Sequence, residues 1–279
     1  MTIKDIISVV DELAPFDTQA DFDNSGFLVG DENTIVTKVL CCLDITDDVI
    51  KEAKELGCEL IVSHHPVIFS PLTKVTSDSI VYKLIKNDLS ALCLHTNFDR
   101  AAIFGVNQIL ANYLDLKNTV LYPEDFLCVG ELHKPMSDKE FARFVALQLD
   151  INSVKYTQIG DKPIKKVAVS SGAGSGAVTL MDKYGFDALV TGEIKHHHFL
   201  YAKEKSLCAV EAGHFETESI AVFSMSFMLY NGLQKENVDF LVSRAEHAPT
   251  SVYYTDDPEK EKDDDLKEME EYFESLMNQ

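Results

Sequence analysis

Glu59-Leu60-Ile61-Val62-Ser63-His64-His65-Pro66 is the stretch from which the fold can be read. A short, partly β-branched apolar run stopped by a proline reads as a buried strand, with two imidazoles at its carboxyl end. Neighbouring side chains on extended backbone point to opposite sides. His64 and His65 therefore suit two ions, or one ion and a substrate, better than chelation of a single ion. Two surface histidines in a turn would leave the same local pattern, so the choice depends on what the rest of the chain supplies.

Working outward, Val39-Leu40-Cys41-Cys42-Leu43 is a strand ending at Asp44. Thr46 reads as an N-cap, with Asp47 and Asp48 in a first helical turn that favours acids, and Gly57 as the C-terminal stop. Beyond the histidines, a helix over about 77–88 leads to the strand Ala91-Leu92-Cys93-Leu94, which ends in His95-Thr96-Asn97-Phe98-Asp99. An amphipathic segment follows over 101–114. Alternating strands and helices in this order predict a parallel sheet with crossover helices. Ligands of such sheets bind outside the carboxyl ends of the strands, where His64, His65, His95 and Asp99 all fall. Upstream, residues 3–13 have helical apolar spacing closed by Pro15. Asp21-Phe22-Asp23-Asn24-Ser25-Gly26 is a polar turn.

The segment 115–165 connects onward through a strand near 126–133 and a helix near 137–149, where Ser137 and Glu140 form a capping-box pattern. From Lys166 the first half recurs: Val39–Ser63 lies on Val167–Thr191 without a gap, and Gly57 falls on Gly185. The second copy continues with Gly192-Glu193-Ile194-Lys195-His196-His197-His198, a strand Cys208-Ala209-Val210-Glu211, Gly213-His214, a helix near 216–230 and a strand near 238–243. Residues 255–271 are almost wholly charged. Helical spacing reappears beyond Leu266. The expected fold class is α/β, with two similar lobes of mainly parallel sheet. The lobes are expected at 1–120 and 121–250, with an acidic C-terminal tail at 251–279.

With 46 acidic against 25 basic residues, the 279-residue chain carries a formal charge of -21. This argues against a sequence-independent grip on nucleic acid or an anionic membrane. The six cysteines sit mostly in apolar runs without CxxC pairing, as small core residues of a reducing, cytoplasmic protein would. No stretch approaches the 18 or so apolar residues of a membrane span.

His214 and Glu218 are four apart and share a helix face if the helix starts at Gly213. His95 and Asp99 have the same spacing. Histidine and carboxylate together suit zinc and other divalent first-row metals, and carboxylates can bridge two ions.

Ser63-His64-His65-Pro66, His95-Thr96-Asn97-Phe98-Asp99, Thr191-Gly192-Glu193 and Gly213-His214 with Glu218, taken in this order, resemble the GTP cyclohydrolase 1 type 2 homologue family, also called NGG-one-interacting-factor-three-like proteins. The turn Asp23-Asn24-Ser25-Gly26 is similar to the same family's. The resemblance spans roughly residues 3–250. It implies two related α/β lobes, two divalent metal ions (zinc, manganese, iron, nickel or cobalt) in the cleft, and a toroidal homohexamer. By position, the ligands it implies are His64, His65, Asp99, His214 and Glu218, with Glu218 bridging. His95 is left as a general acid or base, Glu193 and His197 as orienting or lining groups, and Asp23 and Asp44 as lining the cleft. Glu216 is the less favoured competitor of Glu218. Gly172-Ala173-Gly174-Ser175-Gly176 could cradle a phosphate but reads better as a tight strand-to-helix turn. The implied function is a metal-dependent hydrolase of a small molecule, with GTP or another phosphoester as substrate. A metal-delivery protein or ring-forming regulatory scaffold is the alternative class. Lys74, Arg100 and Lys195 are the cations that could anchor a triphosphate.

Overall fold

A computed structural model describes residues 1–233 and 237–252. The expected tail, 251–279, and its helical spacing near Leu266 lie outside the described residues, apart from 251 and 252. Helix α1 (Ile3–Leu13) starts on a capping box in which Thr2 and Asp5 satisfy each other's backbone amides. Strands β1 (Gly26–Val29), β2 (Lys38–Cys42), β3 (Leu60–Ser63) and β4 (Ser90–Cys93) follow, interleaved with α2 (Asp47–Leu56) and α3 (Ile80–Lys86). Thr46 caps α2, and Gly57 ends it at φ 71°, a left-handed conformation in which glycine meets no Cβ penalty.

Helices α4 (Thr96–Asp99) and α5 (Val106–Tyr113) lead into β5 (Lys117–Tyr122), β6 (Leu127–Met136), α6 (Asp138–Gln148) and β7 (Lys155–Tyr156). The Ser137–Glu140 capping box opens α6. The remainder is β8 (Ile164–Ser170), α7 (Met181–Tyr184), β9 (Ala188–Thr191), α8 (His196–Glu204), β10 (Cys208–Glu211), α9 (His214–Glu218), α10 (Ile220–Gly232) and β11 (Asp239–Val242).

Two mixed sheets result, with orders β1-β4-β3-β2-β11 and β5-β6-β8-β9-β10-β7. Each holds a parallel trio, β4-β3-β2 and β10-β9-β8, flanked by an antiparallel edge strand, β1 or β7. The repeat is visible in the register: Val39 pairs with Leu60, and Val167 with Ala188. Its helix differs. Where α2 runs for ten residues, the second copy has a 3₁₀ segment, Gly174–Leu180, and only then the short α7. Glycines 172, 174 and 176 cost helix propensity there, and no side chain caps the turn.

Both faces of each sheet are covered. Val39, Cys41, Leu60 and Val62 pack beneath α1 and α10, while Leu40, Cys42 and Ile61 pack beneath α2 and α3. This two-residue alternation buries every strand residue of β3, at roughly 1.5–3 kcal/mol for each large aliphatic side chain. Strand β11 pairs in parallel with β2, so the chain returns to the first sheet after completing the second. The segment expected as the second lobe, 121–250, thus gives its last strand to the first sheet. No helix among the described residues is long and apolar enough to cross a membrane.

Candidate metal centre

Beyond the last ladder pair of β3, the amides of His64 and His65 donate to the carbonyls of Cys42 and Leu43 (3.0 and 2.9 Å). These bonds carry the extended backbone of β3 one step past its end and aim the two imidazoles out of the strand. The His64 ring is buried, and its Nδ1–H donates to the Leu94 carbonyl at 2.8 Å. A carbonyl can only accept, so the Nε2 of His64 carries a bare lone pair. That lone pair faces Asp99 Oδ1 at 3.7 Å and Glu218 Oε1 at 4.0 Å. His64 Nε2 and Asp99 Oδ1 are buried without a hydrogen-bond partner. A buried polar atom left unsatisfied costs about 1–3 kcal/mol. Acceptors converging with no donor among them form a place for a cation.

The other oxygen of Glu218 has different neighbours. Oε2 accepts from His65 Nε2 and from His214 Nε2, both at 3.0 Å. His65 Nδ1 is held by Asp44 (2.9 Å) and His214 Nδ1 by Glu193 (2.7 Å), pairings of the kind that orient metal-bound imidazoles. The helical spacing of His214 and Glu218 works as the sequence predicts, since both lie on α9. Glu218 is reached through glycine. A Cβ on Gly172, at φ +55°, would lie 2.0 Å from Glu218 Oε1, so only glycine lets the loop after β8 close over the carboxylate. Gly213, at φ +93°, makes the corresponding turn before α9.

Electrostatics follow from this packing. Burial pushes the His64 pKa down to about 4, so its imidazole is neutral and ligand-ready at neutral pH. For His65, burial opposes charge, but the hydrogen bonds to Asp44 and Glu218 outweigh it and raise the pKa to about 10. The bond to Glu218 is the main cause of His214's rise to about 9, against the pull of burial. Glu218 is itself buried, yet these two imidazoles hold it well below the carboxylate range. Burial, then the neighbouring Glu218 charge, drives Asp99 the other way, well above it. A carboxylate and an imidazole in this state gain from a cation.

The His95 ring lies beside the pair, its centroid 5.2 Å from that of His64 and 5.6 Å from that of His65. Its Nδ1 bonds the buried Asp23 carboxyl at 2.7 Å, and Asp23 also takes the Thr96 amide at 3.0 Å, the Ser25 hydroxyl at 2.8 Å and the Thr96 hydroxyl. His64, His65 and His95 form one group able to hold an ion, and His65, His214 and Glu218 form another. Residues that follow strands of both sheets line a cavity of about 560 Å³ here, among them His65, His95, Asp99, His214 and Glu218.

The sequence profile of the Duf34/NIF3 (NGG1p interacting factor 3) family matches residues 1–249. The chain belongs to the Duf34/NIF3 family. It is 33% identical over 260 residues to the GTP cyclohydrolase 1 type 2 homolog of Clostridium perfringens, covering 89% of this chain and 98% of that one. The Clostridium acetobutylicum protein of the same name is 32% identical over 258 residues, covering 88% and 96%. A crystal structure of the Staphylococcus aureus protein SA1388 superposes with a TM-score of 0.85 at 28% identity, over 91% of this chain and 99% of that one. A Bacillus cereus protein related to NIF3 shares the fold, with a TM-score of 0.85 at 22% identity and the same coverage.

Not every expected residue reaches the Duf34/NIF3 cleft. His196 and His197 are exposed on α8, and His198 bonds Ser175 at 2.9 Å, so the histidine run does not line the cavity. Helix α8 begins after Lys195 and gives no residue to the cavity lining, leaving Glu193, just before it, as the group that reaches His214. Glu216 packs against Gly213 and stays out of the lining. Lys74 and Lys195 are exposed, while Arg100 donates to the carbonyls of Thr18 and Pro123 and lies 4.3 Å over the Phe126 ring. Sequence reasoning missed Glu246, whose carboxylate takes the amides of Leu43 (2.9 Å) and Asp44 (2.7 Å) and so fixes the loop carrying Asp44. Its signal, one acid near a charged C-terminus, is indistinguishable from a surface charge.

Proposed function

We propose that the cleft is the dinuclear centre of a metal-dependent hydrolase. One divalent ion would rest on His64 and Asp99, a second on His65 and His214, and Glu218 would serve both through its two oxygens. The orientation of Glu218 carries this reading: Oε1 is turned to His64, whose Nε2 and the neighbouring Asp99 Oδ1 are orphaned, and Oε2 to His65 and His214. The nitrogen and oxygen donor set suits zinc, manganese, iron, nickel or cobalt. Such ions, when bound, supply Lewis acidity and lower the pKa of water.

The chain's own residues supply the remainder. Asp23 fixes the His95 ring through Nδ1, leaving Nε2 on the cavity side to hold or pass a proton during bond cleavage. Asp44 and Glu193 fix the two imidazoles on Glu218 Oε2. The relatives' name, GTP cyclohydrolase 1 type 2 homolog, supports a nucleotide or another phosphoester as the small-molecule substrate. The six cysteines are free and buried, which supports a reducing, cytoplasmic setting. A homohexamer is part of the same proposal, and light scattering tests it.

Metal per chain, measured by mass spectrometry after gel filtration, tests the centre. Two ions are expected in the parent and fewer in Glu218→Gln and His65→Ala. Full occupancy in both variants would refute the ligand assignment. Turnover of GTP and of aryl phosphates tests the hydrolase. Retained metal without turnover of either would make the chain a metal-holding protein instead.

A further inference from the structure

We infer that the substrate presents a planar aromatic ring to Phe22 and Phe69 beside the metal centre, carries a compact reacting group, and has no polyphosphate tail. This deepens the hydrolase reading and rests on it for the position of the ions. The cavity of about 560 Å³ falls in the ~300–1,000 Å³ range of small-molecule sites. Its open wall is aromatic. Phe22, 66% exposed, and Phe69, 51% exposed, line it together with Phe126, so the three rings form one apolar patch at the mouth of the site instead of scattered surface residues.

These rings are held in place. Asn24 Nδ2 donates to the Ile68 carbonyl at 2.5 Å, tying the turn that carries Phe22 to the loop that carries Phe69. The same turn is anchored to the site through Asp23 and His95. Phe69 stands edge-on to the His95 ring, with centroids 6.3 Å apart and planes at 79°. A flat ring resting on these phenylalanines would therefore lie next to His95, in the cavity that Glu218 also lines.

Charge excludes the tail. None of the described residues lining the cavity is a lysine or arginine. Arg100, one of the candidate cations, spends its guanidinium on two carbonyls and one face of Phe126. Asp44 and Glu193 stand beside the metal-ligating histidines, and the chain carries a net charge of -21. A triphosphate needs charge-assisted donors along its length. Apart from the ions, their ligands and His95, the lining offers neutral polar groups only, Thr96, Asn107, Ser170 and Ser171, with the backbone of Ala173 and Gly174, a set that suits one small anionic or carbonyl group better than a chain of three phosphates.

Calorimetric titration of the metal-loaded protein with phenyl phosphate, glycerol 2-phosphate and GTP tests the inference in the parent, Phe22→Ala and Phe69→Ala. Both phenylalanines are exposed, so the variants should keep the parent's unfolding temperature and metal content. Each truncation should weaken phenyl phosphate by about three- to tenfold, the worth of one aromatic contact, and leave glycerol 2-phosphate unchanged. GTP should bind no more tightly than phenyl phosphate. Equal losses for phenyl phosphate and glycerol 2-phosphate, or no loss, would overturn the inference. So would GTP binding tenfold more tightly than phenyl phosphate with a steep salt dependence. A change of oligomeric state in the variants with unchanged phenyl phosphate affinity would also overturn it, by assigning the rings to a contact with a second copy. Selective loss of phenyl phosphate in a protein that hydrolyses nothing would uphold the ring site and remove the hydrolase. Hydrolysis without that selectivity would do the reverse.

Discussion

Replacing Asp44 with asparagine should weaken one of the two metal ions and spare the other. Among the described residues the Asp44 carboxylate hydrogen-bonds His65, through Nδ1 at 2.9 Å, and His65 shares Glu218 Oε2 with His214. Loss of an outer carboxylate partner costs about 10–100-fold in metal affinity. Asp44 is 49% exposed, and solvent screening puts the effect at the low end, about tenfold or ~1.4 kcal/mol. Glu193→Gln, acting on His214 from a side chain 63% exposed, should weaken the same ion by up to a similar factor. The double variant should approach a hundredfold. The His64 ion is insulated, because the group orienting His64 is the Leu94 main-chain carbonyl, which no side-chain substitution removes. Removing a negative charge lowers the affinity of both ions slightly through the long-range field, so the difference between the two is the quantity to read. Metal titration by equilibrium dialysis at about 0.15 M salt should split into two steps, with the step of the His65 ion shifting far more than that of the His64 ion between parent and variants. Parallel loss of both ions, or a shift confined to the His64 ion, would refute the division of the site between the two oxygens of Glu218.

Three further outcomes follow from the same geometry. His95→Gln should keep the parent's metal content while turnover falls about 10²–10⁴-fold, the usual contribution of a positioned acid or base; loss of metal instead would make His95 a ligand. Gly172→Ala forces a Cβ to within 2.0 Å of Glu218 Oε1 at a left-handed φ, so it should lower both metal content and denaturant stability, the latter by about 1–3 kcal/mol; an unchanged denaturation midpoint would contradict the close approach. In the metal-free protein, His65 and His214 titrate at about 10 and 9 against 6.5 when unfolded, so their contribution is complete below pH 6.5 and is lost as the pH rises through 9 and 10. Its unfolding temperature should therefore fall between pH 7 and 10, and metal uptake near pH 8 should release protons, detectable by calorimetry in buffers of different ionisation heat.

Much of the scaffold was legible because its causes are local. The capping boxes of Thr2 with Asp5 and Ser137 with Glu140 close within three residues. The left-handed stops at Gly57 and Gly185 need only one residue each. The repeat was readable because the same spacing and the same glycine stop recur, and the structure pairs both copies in the same register. His214 and Glu218 share a centre for an equally local reason, one helical turn. The repeat failed where local rules pulled apart, at the glycines that break the second helix into a 3₁₀ segment. The histidine run on α8 misled because sequence proximity to Glu193 does not determine where a helix points.

The sequence by itself determined that His64 and His65 stand at the carboxyl end of a buried parallel strand, because an unbroken apolar run and a terminal proline act over a few residues. Tertiary structure alone decided that their free nitrogens meet the two different oxygens of one carboxylate. Glu218 is 153 residues from His65 in the chain, and Asp23 is 72 from His95. Contacts across such distances depend on which faces of two sheets pack together, and on glycines such as Gly172 leaving room. That is also why β11 joins the first sheet and Phe22 stands near Phe69: packing and long-range hydrogen bonding choose those neighbours, and no periodicity records them.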